Sequence, residues 1–227
     1  KMKETKIYIN TTPCQFTESK TKKGIDYIHY LLRQRAVPNS INGIHNITII
    51  NTNNNLIDTK QWKIRLGENS LNVSVLSSDK NATFSSSTLF LGRLVECKKA
   101  DELPDVLVMC NNYIRDSDIY NIISNIEKVV LTDKGIWKVT LTIMYDEVDI
   151  QQYMKNACRF IDYNNESQQD IVESIHLITA TPYESFWKEL NNLGIEGLEN
   201  LDNIMEIPFS NVLLDQYRQI EDHKKIY

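Results

Sequence analysis

The sequence predicts an α/β protein built on a mostly parallel central sheet. Short runs of apolar β-formers recur along the chain, with stretches of helical period between them. Each run ends in a polar loop that leads into a helix, and right-handed crossovers then return successive strands in the same direction. Bulk composition agrees. Of 227 residues 41% are hydrophobic and 24% charged, which supports one sizeable buried core and is too apolar for a disordered chain.

The first strand is expected at 6–9, followed by a polar loop and a helix over 21–35 that places Ile25, Ile28, Leu31 and Leu32 on one face. A second strand at 46–50 precedes a helix over 54–66. The third, at 71–76, runs into a Ser-rich loop (77–88) expected to be exposed and mobile. The fourth, at 105–110, is apolar throughout and reads as buried; after Asn111 and Asn112 comes a helix with Ile119, Ile122, Ile123 and Ile126 on one side. The fifth strand, at 137–145, has acids directly at its end and precedes a helix over 150–160. The sixth, at 175–178, leads into Thr179-Ala180-Thr181-Pro182, and the stretch 186–227 reads as a helix and tail without sheet content. Open parallel sheets take their ligands outside the carboxyl ends of the strands, so those ends are where chemistry is sought.

Several function classes drop out on composition. Every apolar run breaks far short of the roughly 18 residues that span a bilayer, and the Lys-rich start (Lys1, Lys3, Lys6) has no apolar core behind it to act as a secretion signal. No membrane partner is expected, and residence is expected to be intracellular: cytoplasm, nucleus, a viral factory or a virion. Cys14, Cys97, Cys110 and Cys158 are scattered and form no CxxC pair, which argues against a zinc ribbon and fits a reducing compartment. A net charge of -5 gives no whole-chain support for non-specific nucleic-acid binding, while leaving room for a local basic groove. The abundance of Asn is read as the background of an AT-rich genome. Only 7 glycines are present, so a phosphate-binding loop has to be argued at a specific place.

The sharpest signal is the segment Leu141-Thr142-Ile143-Met144-Tyr145-Asp146-Glu147-Val148-Asp149. An apolar strand ending in adjacent carboxylates carries a buried scaffold to a polar edge, where one acid can hold Mg²⁺ and its neighbour can orient and deprotonate a water. The plainer alternative is a solvated turn. About thirty residues on, a strand again leads into a polar turn, where the hydroxyls of Thr179 and Thr181 flank Ala180 and can hydrogen-bond the acidic loop of a neighbouring strand. Together the two segments resemble motifs II and III of superfamily 2 helicases, the DExD acids and the Ser/Thr-Ala-Thr turn. Residues 47–66, with Asn51-Thr52-Asn53 after a strand and Gln61-Trp62 on the helix, resemble the motif Ia region that touches the nucleic-acid backbone. Residues 103–119, with Asn111, Asn112 and Arg115, resemble a further strand-end segment on the same face; Asn after a strand is also an ordinary turn former and helix cap. The likeness covers roughly residues 6–190, one RecA-like lobe, with the flavour of helicase-like proteins of large DNA viruses.

That resemblance implies a three-layer RecA-like P-loop NTPase fold over 1–190, with 191–227 a helical tail or linker towards a second lobe. It implies ATP and Mg²⁺ as cofactors, and DNA or RNA together with a second RecA-like lobe or partner protein as partners. Carried over position by position, Ser19, Lys20 and Thr21 would meet the phosphates, Thr21 and Asp146 would hold the metal, and Glu147 would activate the attacking water. Asp149, Thr179 and Thr181 would couple hydrolysis to movement, with Asn51, Asn53, Asn111, Asn112 and Arg115 along the nucleic acid. The chain departs from the family at the nucleotide cradle. Where GxxxxGK[ST] is expected it reads Cys14-Gln15-Phe16-Thr17-Glu18-Ser19-Lys20-Thr21. Both glycines are replaced, at about 1 kcal/mol or more for each site that needs φ > 0 or close backbone approach, and Glu18 brings a repulsive charge to the phosphates.

Other residues carry plainer readings. His29, His45, His176 and His223 are isolated, and His176, inside an apolar run, reads as a hydrogen-bonded core residue. Cys14 has no neighbouring His to activate it. Lys22-Lys23 and Lys98-Lys99 read as solvated faces, and Trp62, Trp137 and Trp187 as packing residues. The leading expectation is a nucleic-acid-dependent ATPase or helicase-like motor lobe. Without a second lobe to supply an arginine, this polypeptide alone is expected to hydrolyse ATP slowly or not at all and not to unwind duplexes. The competing expectation is a catalytically inactive, helicase-derived binding or structural module of a virion or replication assembly.

Overall fold

The computed structural model describes residues 5–10, 20–33, 42–97, 102–126, 129–132, 135–148, 150–167 and 170–179, with 186, 188, 189, 192 and 204–206 beyond them. Eight strands and five helices are formed among these residues. They are, in chain order, β1 (Lys6–Asn10), α1 (Lys20–Arg33), β2 (Asn42–Thr52), α2 (Leu56–Glu68), β3 (Val73–Leu76), α3 (Ser87–Glu96), β4 (Val106–Cys110), α4 (Tyr113–Asn125), β5 (Val129–Thr132), β6 (Gly135–Asp146), α5 (Gln151–Ser167), β7 (Val172–Ile178) and β8 (Ile204–Glu206). The strands make one sheet in the order β3-β4-β2-β6-β7-β1-β8, and β5 pairs with β6 off that path. Every pairing along the path is parallel; β5 alone runs antiparallel, from Val129↔Lys138 to Thr132↔Gly135.

Period-two alternation in the strands divides the core into two layers. On one face Ile50, Val106, Val108, Met144 and Ile178 pack under α1 (Ile25, Ile28) and α2 (Trp62, Leu66). On the other, Ile47, Ile49, Leu107, Leu141, Ile143 and Ile175 pack under α3 (Phe90, Leu94), α4 (Ile119, Ile122, Ile123) and α5 (Met154, Ala157, Phe160, Ile161). This is the three-layer α/β architecture with a mostly parallel sheet that the sequence predicts and that a RecA-like fold requires. β4 is buried at all five positions, as expected of a central strand covered on both sides.

Polar turns start the helices. Asn55 caps α2 by accepting from the Asp58 N–H at 2.8 Å, Ser86 caps α3, and Asn112 caps α4 by accepting from the Arg115 N–H at 3.1 Å. Besides β5, an antiparallel strand where none was expected, three features depart from the sequence reading. The Ser-rich loop is partly folded against β3: the Phe84 N–H donates to Val75 C=O, the Ser77 N–H to Phe84 C=O, and Ser77 and Ser87 are buried. Within the same stretch α3 begins, because Phe90 and Leu94 stand one turn apart and bury together behind the Ser86 cap. Third, β8 adds residues 204–206 to the sheet beside β1, where a tail without sheet content was expected; its three residues have no independent strand signal and are strand only because β1 offers an edge.

A polar ladder crosses the sheet on the α1 side. Asn46 Nδ2 donates to Thr140 Oγ1 at 3.1 Å, Thr142 and Ser174 hydroxyls meet at 3.3 Å, and Ser174 Oγ lies 3.2 Å from His176 Nε2. His176 is fully buried, stacked on Tyr8 with ring centroids 4.7 Å apart, as the reading of a core histidine expects. Burial favours the neutral ring and pushes its pKa down to about 3. In the unfolded chain His176 titrates near 6.5, so the stabilisation it carries is complete above that pH and is lost as pH falls from about 6.5 towards 3. His176→Phe keeps the ring stack and leaves Ser174 its Thr142 partner. Urea denaturation at stepped pH should show the wild type losing about 1.4 kcal/mol per pH unit below 6 relative to this variant; parallel curves would show that His176 does not titrate with unfolding. A Cβ at Gly24, inside α1, would meet Trp62 Cη2 at 3.7 Å and Met144 Sδ at 3.9 Å, ordinary contacts. Gly24→Ala is therefore expected to stabilise by roughly 0.5–1 kcal/mol in the same assay.

Candidate functional site

The carboxyl ends of β1, β7 and β6 stand level, since Ile178 is paired with Asn10 on one side and with Asp146 on the other. The helix that follows β1 covers one face and the helix that follows β6 covers the other, and open parallel sheets take their ligands outside such strand ends. Asp146 closes β6 there and is 5% exposed. Its Oδ2 accepts from Trp62 Nε1 at 2.9 Å, and its Oδ1 accepts from the Glu147 N–H at 3.0 Å. Glu147 follows at φ 56°, in the left-handed region where a non-glycine residue is strained. The acidic turn is tied down on both sides: the Val148 N–H donates to Ile178 C=O at 3.2 Å and the Ile150 N–H to Glu147 C=O at 3.1 Å. Thr179, next in chain to Ile178, is fully buried beside it.

Trp62 links this turn to the start of α1. Its indole packs by the Cα of Gly24, one turn in from Lys20, while its N–H holds Asp146. Lys20 and Thr21 are the first two residues of α1. Ser19, Asp149 and Thr181, with Cys14, lie outside the described residues. The structure thus gathers Asp146, Glu147 and Thr179, and joins them through Trp62 to the helix that Lys20 and Thr21 open. The tie from Trp62 escaped the sequence reading, which took the residue as packing; it is indeed buried, and 84 positions separate the two partners.

The asparagines form a second polar group, at the ends of β2 and β4. Asn51 and Asn111 are each 1% exposed and Arg115 is 8% exposed, so these three predicted nucleic-acid contacts are turned into the protein. Arg115 Nη1 pairs with Asp118 Oδ2 at 2.5 Å, and the Ser87 N–H donates to the other oxygen of that carboxylate, which joins α3 to α4. Asn111 Oδ1 accepts from Asn156 Nδ2 at 2.7 Å. Asn53 Nδ2 donates to Asp58 Oδ2 at 2.6 Å, and Asn112 Nδ2 to Asn54 Oδ1 at 2.9 Å. Tyr153 and Asn156, both on α5 and both unremarked in the sequence, complete the group; the Tyr153 hydroxyl accepts from the Asn54 N–H at 2.7 Å. Asn51 Oδ1, Thr52 Oγ1, Asn53 Oδ1 and Asn111 Nδ2 are buried without a hydrogen-bond partner in the protein. Such groups cost about 1–3 kcal/mol each when unmet, and Asn164 Oδ1 and His176 Nδ1 are in the same position elsewhere in the fold. Around them Leu56, Ile57, Tyr113, Ile114 and Ile150 are exposed at the starts of α2, α4 and α5.

Among the described residues no three His, Cys, Asp or Glu side chains gather to hold a metal ion. A donor set of one buried carboxylate suits Mg²⁺ shared with phosphate oxygens, which needs only one or two protein ligands, rather than an all-protein cage. Burial raises the thiol pKa of Cys97 and pushes that of Cys158 up to about 12, which makes both poor nucleophiles. No described helix is long and apolar enough to cross a membrane. No protein-family model matches the chain, and no curated protein sequence matches it. The strain at Glu147 is directly measurable. Glu147→Gly should raise the unfolding free energy by roughly 1 kcal/mol in chemical denaturation, whereas Glu147→Val should lower it; equal stability of all three proteins would mean the turn relaxes without cost.

Proposed function

We propose that this chain is an ATP-handling motor lobe of the superfamily 2 helicase type, acting on nucleic acid together with a second lobe or a partner protein. The observation that carries the reading is the acidic turn. A buried Asp at a strand end, a strained Glu immediately after it and a buried Thr at the end of the adjacent strand stand together at the carboxyl edge of the sheet, the edge where open sheets take ligands. Strained backbone concentrates at functional sites, and a plain solvated turn would bury neither Asp146 nor Thr179.

In this reading Mg²⁺, when bound, neutralises phosphate charge. Asp146 and Thr21 are the residues that would hold it, and Lys20 would place a second positive charge at the phosphates. The Glu147 carboxylate orients a water and accepts its proton. Thr179, beside the turn, would register its movement, and Asp149 and Thr181 would share that part. Asn53 and Asn112, which are only half-buried, stand at the ends of β2 and β4 along the same edge of the sheet, while Asn51 and Asn111 are turned inward. With Arg115 committed to Asp118, the amides of Asn53 and Asn112 and the first turns of α2 and α4 remain to meet DNA or RNA.

The second reading, an inactive module in a virion or replication assembly, draws on one specific observation: Cys14 and Ser19 replace both glycines of the phosphate loop and Glu18 sits between them. Titration with ATP·Mg²⁺ separates the two. Binding at or below millimolar nucleotide is expected, weakened about 10-fold or more by Asp146→Asn, while Glu147→Gln should bind normally and lose whatever turnover the wild type shows. Absence of binding at millimolar nucleotide would falsify the ATPase reading and leave the module.

A further inference from the structure

We infer that Trp62 is a positioning residue for the metal-holding carboxylate, so that the grip of Asp146 on Mg²⁺·nucleotide depends on an indole N–H supplied by α2. The inference rests on the reading of Asp146 given above.

Three observations carry it. The bond is well formed and buried, 2.9 Å from Nε1 to Oδ2, with Trp62 4% and Asp146 5% exposed, so water does not compete for it freely. Its geometry is set on both sides. The Glu147 N–H takes Oδ1 at 3.0 Å, so two donors from different elements bind the two carboxylate oxygens and hold the plane of the group. Finally, the indole is lodged among Leu66 of its own helix, Met144 of β6 and Gly24 of α1. Displacement of the start of α1, where the phosphates would be met, therefore reaches the carboxylate through one rigid ring. Packing alone does not call for the N–H, since a Phe of similar shape would fill the same apolar space; indole differs by its single donor, and that donor is spent on Asp146. Outer partners that orient a ligating carboxylate tune metal affinity in just this way.

The test measures nucleotide affinity with Mg²⁺ and with EDTA, in the full chain, for the wild type, Trp62→Phe, Asp146→Asn and the double variant. The ratio of the two affinities isolates the metal from general damage, which a thermal melt records separately. Trp62→Phe is expected to lower the ratio by about 10-fold with little change in the EDTA arm, and to add nothing further in the Asp146→Asn background. If Asp146→Asn collapses the ratio and Trp62→Phe leaves it intact, the inference is overturned while the ATPase reading stands. If Asp146→Asn leaves the ratio intact, or no nucleotide binds, the ATPase reading fails and the inference falls with it. Should Trp62→Phe not fold, the chain carrying Trp137→Phe and Trp187→Phe keeps Trp62 as its one indole. Emission from Trp62 should then shift on adding Mg²⁺·ATP but not ATP with EDTA, and Asp146→Asn should abolish the shift; an unresponsive Trp62 rejects the proposal.

Discussion

Covering a parallel sheet with helices on both sides leaves its strands no face open to water, and this constraint governs where the protein can do anything at all. β2, β4, β6 and β7 are buried along most of their length by two separate apolar layers. Chemistry is thereby confined to the strand ends. The register decides which ends meet: Asn10, Ile178 and Asp146 stand level across three strands that are far apart in sequence. Asp146 can be both buried and polar there because the donors it needs come from the turn that follows it and from a helix on the adjoining layer.

Within the sheet the polar residues obey a stricter rule, that a buried hydrogen-bonding group needs a partner. Asn46, Thr48, Thr140, Thr142 and Ser174 meet it by pairing with one another across β2, β6 and β7, all on the side covered by α1 and α2, while His176 meets it at Nε2 and leaves Nδ1 unmet. His176 sits at the end of this ladder against Tyr8 and Tyr27, and burial holds it neutral. At the ends of β2 and β4 the rule is relaxed: Asn51, Thr52, Asn53 and Asn111 each keep a buried atom unmet.

The asparagines show how one residue type divides by position. Asn55 and Asn112 are helix caps, doing what Asn after a strand ordinarily does. Asn156 bridges Asn111 to Gln152 and Arg159 on the α5 side, and Arg159 also reaches Asp116. Composition assigns all of these to background; their roles follow from whether the local backbone leaves an N–H exposed or the sheet buries an amide.

Much of the scaffold was legible in the chain. The six strand signals and helices α1, α2, α4 and α5 rest on local periodicity and on apolar residues, which any compact state must bury, and the polar turn after β6 and the histidine in the core were legible too. What failed was short or relational: α3 inside a Ser-rich stretch, β5 as an antiparallel partner, β8 as an addition to β1. These gain their stability from surfaces that exist only once the sheet is built. The site divides in the same way. Asp146, Glu147 and Thr179 could be picked out from the sequence, because strand-end acids and hydroxyls are local patterns. That Arg115 turns inward to Asp118, that Glu147 adopts a left-handed backbone and that Trp62 reaches Asp146 were decided by the tertiary structure alone, because each depends on the direction of a side chain or a turn relative to elements brought together only by the fold.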